Sequence, residues 1–420
     1  MTKTTQLAPG VQLLYLPKTQ YQTVNITVTF AQKAQTRMAS KRALLSYLMA
    51  VSSKEFPNQQ AVSQELIDYF GANFQTKVST IGDLDLLTAS LQIIQPGQLP
   101  ESNDLLAEGL SFLQSMIFNF DWESANSQAV IKQEKQNLTQ AILGRQDDKV
   151  VLALDEARQL TFADSAIQES ILGTKEEVQA LSLAELQAAH AALLANDQVL
   201  ISVVGDVAEE DLVTALTAWS WPTNPNRNEF RAKVPQLADF SKKVQTKPDL
   251  QQAVLVQNYQ LGQGAASEQG YFTALVFNTV FGEGPASLLF TEIREKNSLA
   301  YSISSRLQPD LALITVVAGY DAEQQDRLRT LLAEQLATVK AGHLAEEQLV
   351  AAKAAIINDY LVRQDSPIFQ SLSLAARTLR GINRDETAFM KGVEAVTLEE
   401  IQDFAATLTI TTDFVLEPGR

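Results

Sequence analysis

The chain has 420 residues, enough for two or three domains, and its 45% apolar and 20% charged content is that of an ordinary globular protein with a large core. A net charge of −16 argues against nucleic acid or an anionic membrane surface as partner. The absence of cysteine excludes disulfides, thiol nucleophiles and Cys-based metal sites, and it fits a reducing compartment.

Residues 1–20 hold no apolar core of signal-peptide length, and no run reaches the ~18 apolar residues of a membrane helix. The chain is therefore expected to be cytoplasmic. Residues 60–70 read as helix, and 74–94 as strand, Gly-Asp turn and strand. Long helical patterns follow at 104–118, 124–143 and 150–160. Ser182 with Glu185 forms a capping-box pattern ahead of a helix, which leads to a strand at 199–204.

Between 221 and 250, Pro222, Pro225, Pro235 and Pro248 stand among polar residues and suggest a linker. The plan then repeats. Residues 287–296 are an amphipathic helical stretch, and 299–317 a hairpin with Pro309-Asp310 at its turn. Helical patterns follow at 322–339 and 345–363. Thr397 with Glu400 repeats the capping box before a strand at 413–416, an offset of 397 − 182 = 215 residues. The expected organisation is an N-terminal lobe at 1–225, a linker at 226–244 and a C-terminal lobe at 245–420. Each lobe is expected to be α+β, a mainly antiparallel sheet packed by helices.

Little conventional chemistry is visible. There are two histidines, His190 in an Ala-rich helix and His343 in a Gly-containing turn, and neither has ligand-spaced companions. Nucleophile-elbow and P-loop motifs are absent, and Gly262-Gln263-Gly264 reads as a loop. Asp147-Asp148 and Glu176-Glu177 read as solvated helix faces or caps. The segment 287–305, SLLFTEIREKNSLAYSISS, is richer. Arg294 on a helix end and Tyr301 on the following strand can converge to hold the carbonyls of an extended peptide. The plain alternative is an Arg294 ion pair with Glu292 or Glu295 and a core Tyr301. Gly282 and Gly284 precede this helix in a loop, Phe281-Gly282-Glu283-Gly284-Pro285.

The run Arg294-Glu295-Lys296-Asn297-Ser298-Leu299-Ala300-Tyr301-Ser302 resembles the R-E-K-x-x-L-A-Y-S segment of the insulinase-like (pitrilysin-type) zinc peptidases. That resemblance implies two homologous lobes enclosing part of a peptidase chamber. It makes Arg294 and Tyr301 substrate contacts, with Gly282 and Gly284 in a loop free to admit substrate. Catalytic relatives carry His-x-x-Glu-His on the first long helix of the N-terminal lobe, two zinc ligands and a general base. The resemblance places that motif on residues 40–51, where its positions hold Ala43, Ser46 and Tyr47. The downstream ligand position aligns with Ala141, after Glu134-Lys135. With every metal-binding position replaced, no cofactor is expected in this chain. Zinc is expected in a homologous partner bearing His-x-x-Glu-His, in a bacterial heterodimer that cleaves peptides. The alternative is a proteolytically inactive scaffold or peptide-binding protein, homodimer included.

Overall fold

A computed structural model describes residues 2–100, 102, 104–248 and 250–419. The strands are β1 (Lys3–Ala8), β2 (Val11–Pro17), β3 (Thr23–Lys33), β4 (Asn73–Ile81), β5 (Leu84–Ile94), β6 (Gln198–Gly205), β7 (Ser241–Lys247), β8 (Ala253–Gln260), β9 (Ala300–Gln308), β10 (Leu313–Tyr320) and β11 (Thr409–Pro418). The helices of the first half are α1 (Ala39–Val51), α2 (Gln59–Asp68), α3 (Leu105–Phe118), α4 (Ala125–Asp147), α5 (Lys149–Thr161), α6 (Ser165–Gln168), α7 (Lys175–Ala180), α8 (Leu183–Asn196) and α9 (Glu209–Thr217). Those of the second half are α10 (Glu268–Phe281), α11 (Gln325–Lys340), α12 (Glu346–Gln364), α13 (Pro367–Arg380), α14 (Glu386–Ala395) and α15 (Leu398–Thr407).

The chain divides into two α+β units that are interleaved in sequence. Unit 1 takes residues up to 144, 169–233 and 363–383; unit 2 takes 145–168, 234–362 and 384 onward. Unit 1 thus includes α13 from the second half of the sequence, and unit 2 includes α5 and the short α6 from the first. The stretch read as a linker passes from one unit to the other at 233/234 and contains the start of β7.

Unit 1 holds a six-stranded sheet in the order β1-β2-β6-β3-β5-β4. All its pairings are antiparallel except β2 with β6. Unit 2 holds a five-stranded sheet, β7-β11-β8-β10-β9, again with one parallel pair, β7 with β11. The duplication read from the capping boxes is present: Ser182–Glu185 caps α8 and Thr397–Glu400 caps α15, and each helix leads into a strand of its sheet.

The central strands are buried on both faces, and this explains their nearly unbroken apolar runs. In unit 1, one face packs Leu13, Ile26 and Phe30 against Phe112 and Met116 of α3. The other packs Leu14, Leu86 and Leu200 against Leu374, Ala375 and Leu379 of α13. Unit 2 repeats the arrangement. Leu255, Ile314 and Val415 meet Phe277 and Ile401 on one face, and Val256 and Phe414 meet Ala153 and Ala157 of α5 on the other.

Helices α13 and α5 are also pinned by hydroxyls. In unit 1, Thr27 Oγ1 lies 2.8 Å from Ser371 Oγ of α13 and 3.0 Å from Ser90 Oγ. In unit 2, Asn258 Nδ2 donates to Thr161 Oγ1 of α5 at 2.8 Å, and Thr315 Oγ1 donates to Asn258 Oδ1 at 2.7 Å. Apolar packing sets how deep each helix sits; these directional bonds fix its rotation on the sheet.

Candidate functional site

The segment around Arg294 is built from the loop upward. Gly284 takes a left-handed backbone, φ 91°, with open space around its α-carbon, so it is the conformational glycine of the loop. Gly282 is different. Its φ is −150°, and a Cβ there would stand 2.5 Å from Ser305 Oγ and 2.8 Å from Leu289 Cδ1. Its carbonyl accepts from Ser305 N at 2.9 Å, and Ser305 Oγ donates to Asn278 Oδ1 at 2.7 Å. Asn278 Nδ2 in turn donates to Glu283 Oε2 at 2.8 Å. Gly282 therefore serves close packing, not the freedom expected of it. Gly282→Ala should destabilise the fold by about 1–3 kcal/mol, read as a lower urea midpoint, and by more than Gly284→Asn, whose cost is confined to a left-handed backbone that Asn tolerates better than most residues. Equal effects would show that packing against Ser305 is unimportant.

The amphipathic stretch that follows is a π-helix, Leu289–Lys296. Its apolar side, Leu289 and Ile293, is fully buried, as periodicity required. The wider turn is closed by side chains: Asn297 Nδ2 donates to Glu292 O at 2.8 Å, and Arg327 Nη2 donates to Asn297 Oδ1 at 3.1 Å. Ser298 then adopts a left-handed backbone, φ 52°, and turns the chain into β9. π-turns recur at functional sites because they re-aim side chains relative to an α-helix.

Arg294 is exposed on this helix, its guanidinium 4.7 Å from the centre of the Phe290 ring. It does not pair with Glu292, which is held by Lys296 at 2.6 Å. Tyr301 is 55% exposed, so it is no core residue. Its hydroxyl donates to both carboxylate oxygens of Asp321, at 3.0 and 3.1 Å. The hydrogen bond to Asp321 and that carboxylate's charge raise the phenol's pKa, keeping it a proton donor. Tyr301 and Asp321, with Asn297, Gln324 and Arg327, line a shallow polar pocket of about 210 Å³. Arg294 lies outside that lining, on the turn before it. The structure thus brings Tyr301, Asp321 and Arg327 together, and sequence reading had singled out only Tyr301. Asp321 begins the turn after β10 and carried no motif by which to find it.

The metal-motif positions lie on α1 in unit 1. Ala43 is fully buried among Leu44, Leu48, Leu138 and Val178. Ser46 is tied to β4: its Oγ donates to Thr76 Oγ1 at 3.2 Å, and Thr76 Oγ1 donates to Ser46 O at 2.6 Å. Tyr47 is half-buried in the same cluster; burial raises its pKa, and the nearby Glu134 carboxylate raises it further. Ala141 lies on α4, partly buried and without chemistry.

The carboxylate that faces α1 is Glu134, two turns earlier on the same side of α4. It is 7% exposed, and both its oxygens accept from Asn137 Nδ2, at 3.0 and 3.1 Å. Its charged form is disfavoured by burial, against which Asn137 works, so its pKa stands above the usual carboxylate range. One carboxylate beside an alanine, a serine and a protonated phenol does not make a zinc site, which needs three or more donors. Among the described residues no group of three His, Asp or Glu side chains is placed to hold a metal.

The Glu134 pKa has a consequence for stability. A carboxyl whose folded pKa is raised costs the fold as pH climbs from its unfolded value through its folded one. Glu134→Gln should therefore raise the urea midpoint at pH 7, and the gain should vanish below about pH 4. A Gln variant less stable than the parent at pH 7 would contradict this.

The remaining candidates are structural. His190 is 5% exposed, its Nε2 2.7 Å from Ile117 O, and burial lowers its pKa. His343 is exposed in its turn. Asp148 caps α5 through Val150 N and Val151 N, and Glu177 completes the capping box of α7. No described helix is long and apolar enough to cross a membrane.

Comparison with known proteins agrees with this geometry. Residues 180–356 match the model of the peptidase M16 inactive domain. The chain is 24% identical over 399 residues to a probable inactive metalloprotease, YmfF, of Bacillus subtilis, covering 94% of this chain and 93% of that one. It is 23% identical to an uncharacterized zinc protease of the same organism, YmxG, over 74% of this chain and 76% of that one. A crystal structure of a conserved protein from Enterococcus faecalis superposes with a TM-score of 0.90 at 28% identity, over 100% of this chain and 99% of that one. The resemblance carried by residues 294–302 therefore extends across the chain.

Proposed function

We propose, from the premise that this chain is an insulinase-like, M16-type protein without the His-x-x-Glu-His motif, that it is the non-catalytic, substrate-binding subunit of a two-chain zinc peptidase acting on peptides. A homologous partner supplies the metal, its ligands and the general base. This chain supplies Arg294 and Tyr301 to orient the peptide or to stabilise the developing oxyanion.

One contrast carries this reading. The metal-motif face of α1 is closed with alanine, serine and tyrosine, whereas the Arg294–Tyr301 segment remains exposed and polar beside a pocket. Had the protein kept only a scaffolding role, nothing would require that segment to present a cation and an oriented phenol to solvent.

The test is recovery of the tagged chain from its native cytosol, with mass spectrometry and zinc analysis of what elutes. A stoichiometric, zinc-loaded partner containing His-x-x-Glu-His is the expected result. A metal-free homodimer or a larger assembly without such a partner would overturn the reading and favour a scaffold.

A further inference from the structure

The two sheets correspond strand for strand except at one edge. Aligned on their single parallel pairs, β2, β6, β3, β5 and β4 of unit 1 match β7, β11, β8, β10 and β9 of unit 2. In unit 1 the outer edge of β2 is covered by β1, antiparallel, from Lys3↔Tyr15 to Ala8↔Val11. In unit 2, among the described residues, no strand covers the outer edge of β7.

The chain just before β7 is drawn elsewhere. Leu237 bridges Phe162, Ala163 N donates to Gln236 O at 3.1 Å, and Ala238 N donates to Thr161 O at 2.9 Å. These bonds commit the segment to the end of α5, so it cannot fold back as the sixth strand.

The effect on exposure is large. On β2, Val11 and Leu13 are 0% exposed, whereas Val244 on β7 is 47% and Phe240 beside it 62% exposed. The charge is also locally inverted. Residues 234–247 carry Lys242, Lys243 and Lys247 against Asp239, within a chain of net charge −16. By strand alternation Lys242, Val244 and Thr246 share one face. Lys243 lies on the other, 3.1 Å from Glu156 of α5.

Lysines on an open edge discourage pairing with a second copy, since two such edges would set like charges opposite one another. They do not discourage an acidic strand, which would gain both the main-chain ladder and opposite charges across it. We propose that the β7 edge is a docking site for an extended, acidic segment of a partner polypeptide, which adds antiparallel as the sixth strand of unit 2, as β1 does in unit 1. This proposal is independent of any zinc-bearing partner.

Two synthetic ten-residue peptides serve as probes, one alternating valine with glutamate and one alternating valine with lysine. Binding is followed by fluorescence anisotropy, and amide exchange of the intact protein by mass spectrometry. The acidic peptide should bind at least ~10-fold more tightly than the basic one, weaken with salt, and slow exchange at residues 241–247. Placing two prolines in the acidic peptide should abolish binding, because strand addition needs its N–H groups. Val244→Glu/Thr246→Glu, both at exposed positions, should lower its affinity at least ~10-fold. No binding of the acidic peptide at millimolar concentration, equal binding of both peptides, or binding without slowed exchange in β7 would each overturn the proposal.

Discussion

Asp197→Ala should cost unit 1 about 3–5 kcal/mol, among the largest effects of any single substitution in this chain. Arg42 and Asp197 form an ion pair in the interior, Nη1 to Oδ2 at 2.7 Å, with side chains only 4% and 3% exposed. Arg42 Nη2 also donates to Phe30 O at 3.0 Å, and Asp197 O accepts from Arg227 Nη1 at 3.0 Å. Arg42 is the residue before Ala43 on α1, and Asp197 caps the end of α8. The pair therefore ties the metal-motif helix to a helix 155 positions away in sequence, without any metal. Removing the carboxylate leaves a guanidinium buried and uncompensated, which costs far more than the intact pair contributes. Arg42→Met/Asp197→Leu should accordingly recover most of the loss. Denaturation midpoints of the single and double variants decide the matter. Equal instability in both would mean that cavity and packing, not the orphaned charge, dominate.

This anchoring holds α1 in place without any metal. It also marks what the sequence made visible. Local patterns were legible: both capping boxes, both hairpins and the long helices rest on residues three or four apart or on alternation. Contacts across the chain were not. Nothing in residues 149–161 or 367–380 signals that each helix packs on a sheet from the other half, because an amphipathic face does not name its partner. β7, SKKVQTK, escaped notice because an open edge strand lacks the apolar alternation that marks a half-buried one.

At the candidate site the same limits apply. The π-helix was read as an ordinary amphipathic helix because Leu289 and Ile293 satisfy either pitch. Glu134 was visible in the run that also holds Ala141, but the sequence does not show which of its side chains turns toward α1. Both lie on one side of α4, since seven residues make two turns, and only the packing of α4 against α1 singles out Glu134. Gly282 and Gly284 look alike in sequence. One is fixed by a steric contact and the other by its backbone angle, and neither cause is local to the glycine's neighbours.

In the proposed complex with a zinc-bearing partner, Arg294→Ala and Tyr301→Phe should each lower kcat/KM for peptide hydrolysis at least ~10-fold, and neither should prevent assembly of the pair. Both side chains are surface groups of unit 2, so their removal leaves no cavity and no orphaned buried charge. That separates a loss of activity from a loss of fold. The two losses should also differ in kind. Arg294, proposed to hold peptide carbonyls in the ground state, should act substantially through KM. Tyr301 has one O–H, donated here to Asp321, and would have to turn it from that carboxylate to the substrate; it should act mainly through kcat if the new hydrogen bond strengthens as the carbonyl oxygen gains charge. Asp321→Asn then becomes the diagnostic change. It keeps Tyr301 but weakens the acceptor that holds its proton and removes the charge that raises its pKa, so it should move kcat and leave KM alone: a lower kcat means Asp321 orients the phenol, a higher one that it competes for the proton. Unchanged kinetics in both Arg294→Ala and Tyr301→Phe, with zinc loading and assembly intact, would remove the substrate-contact role and leave the segment as part of the fold.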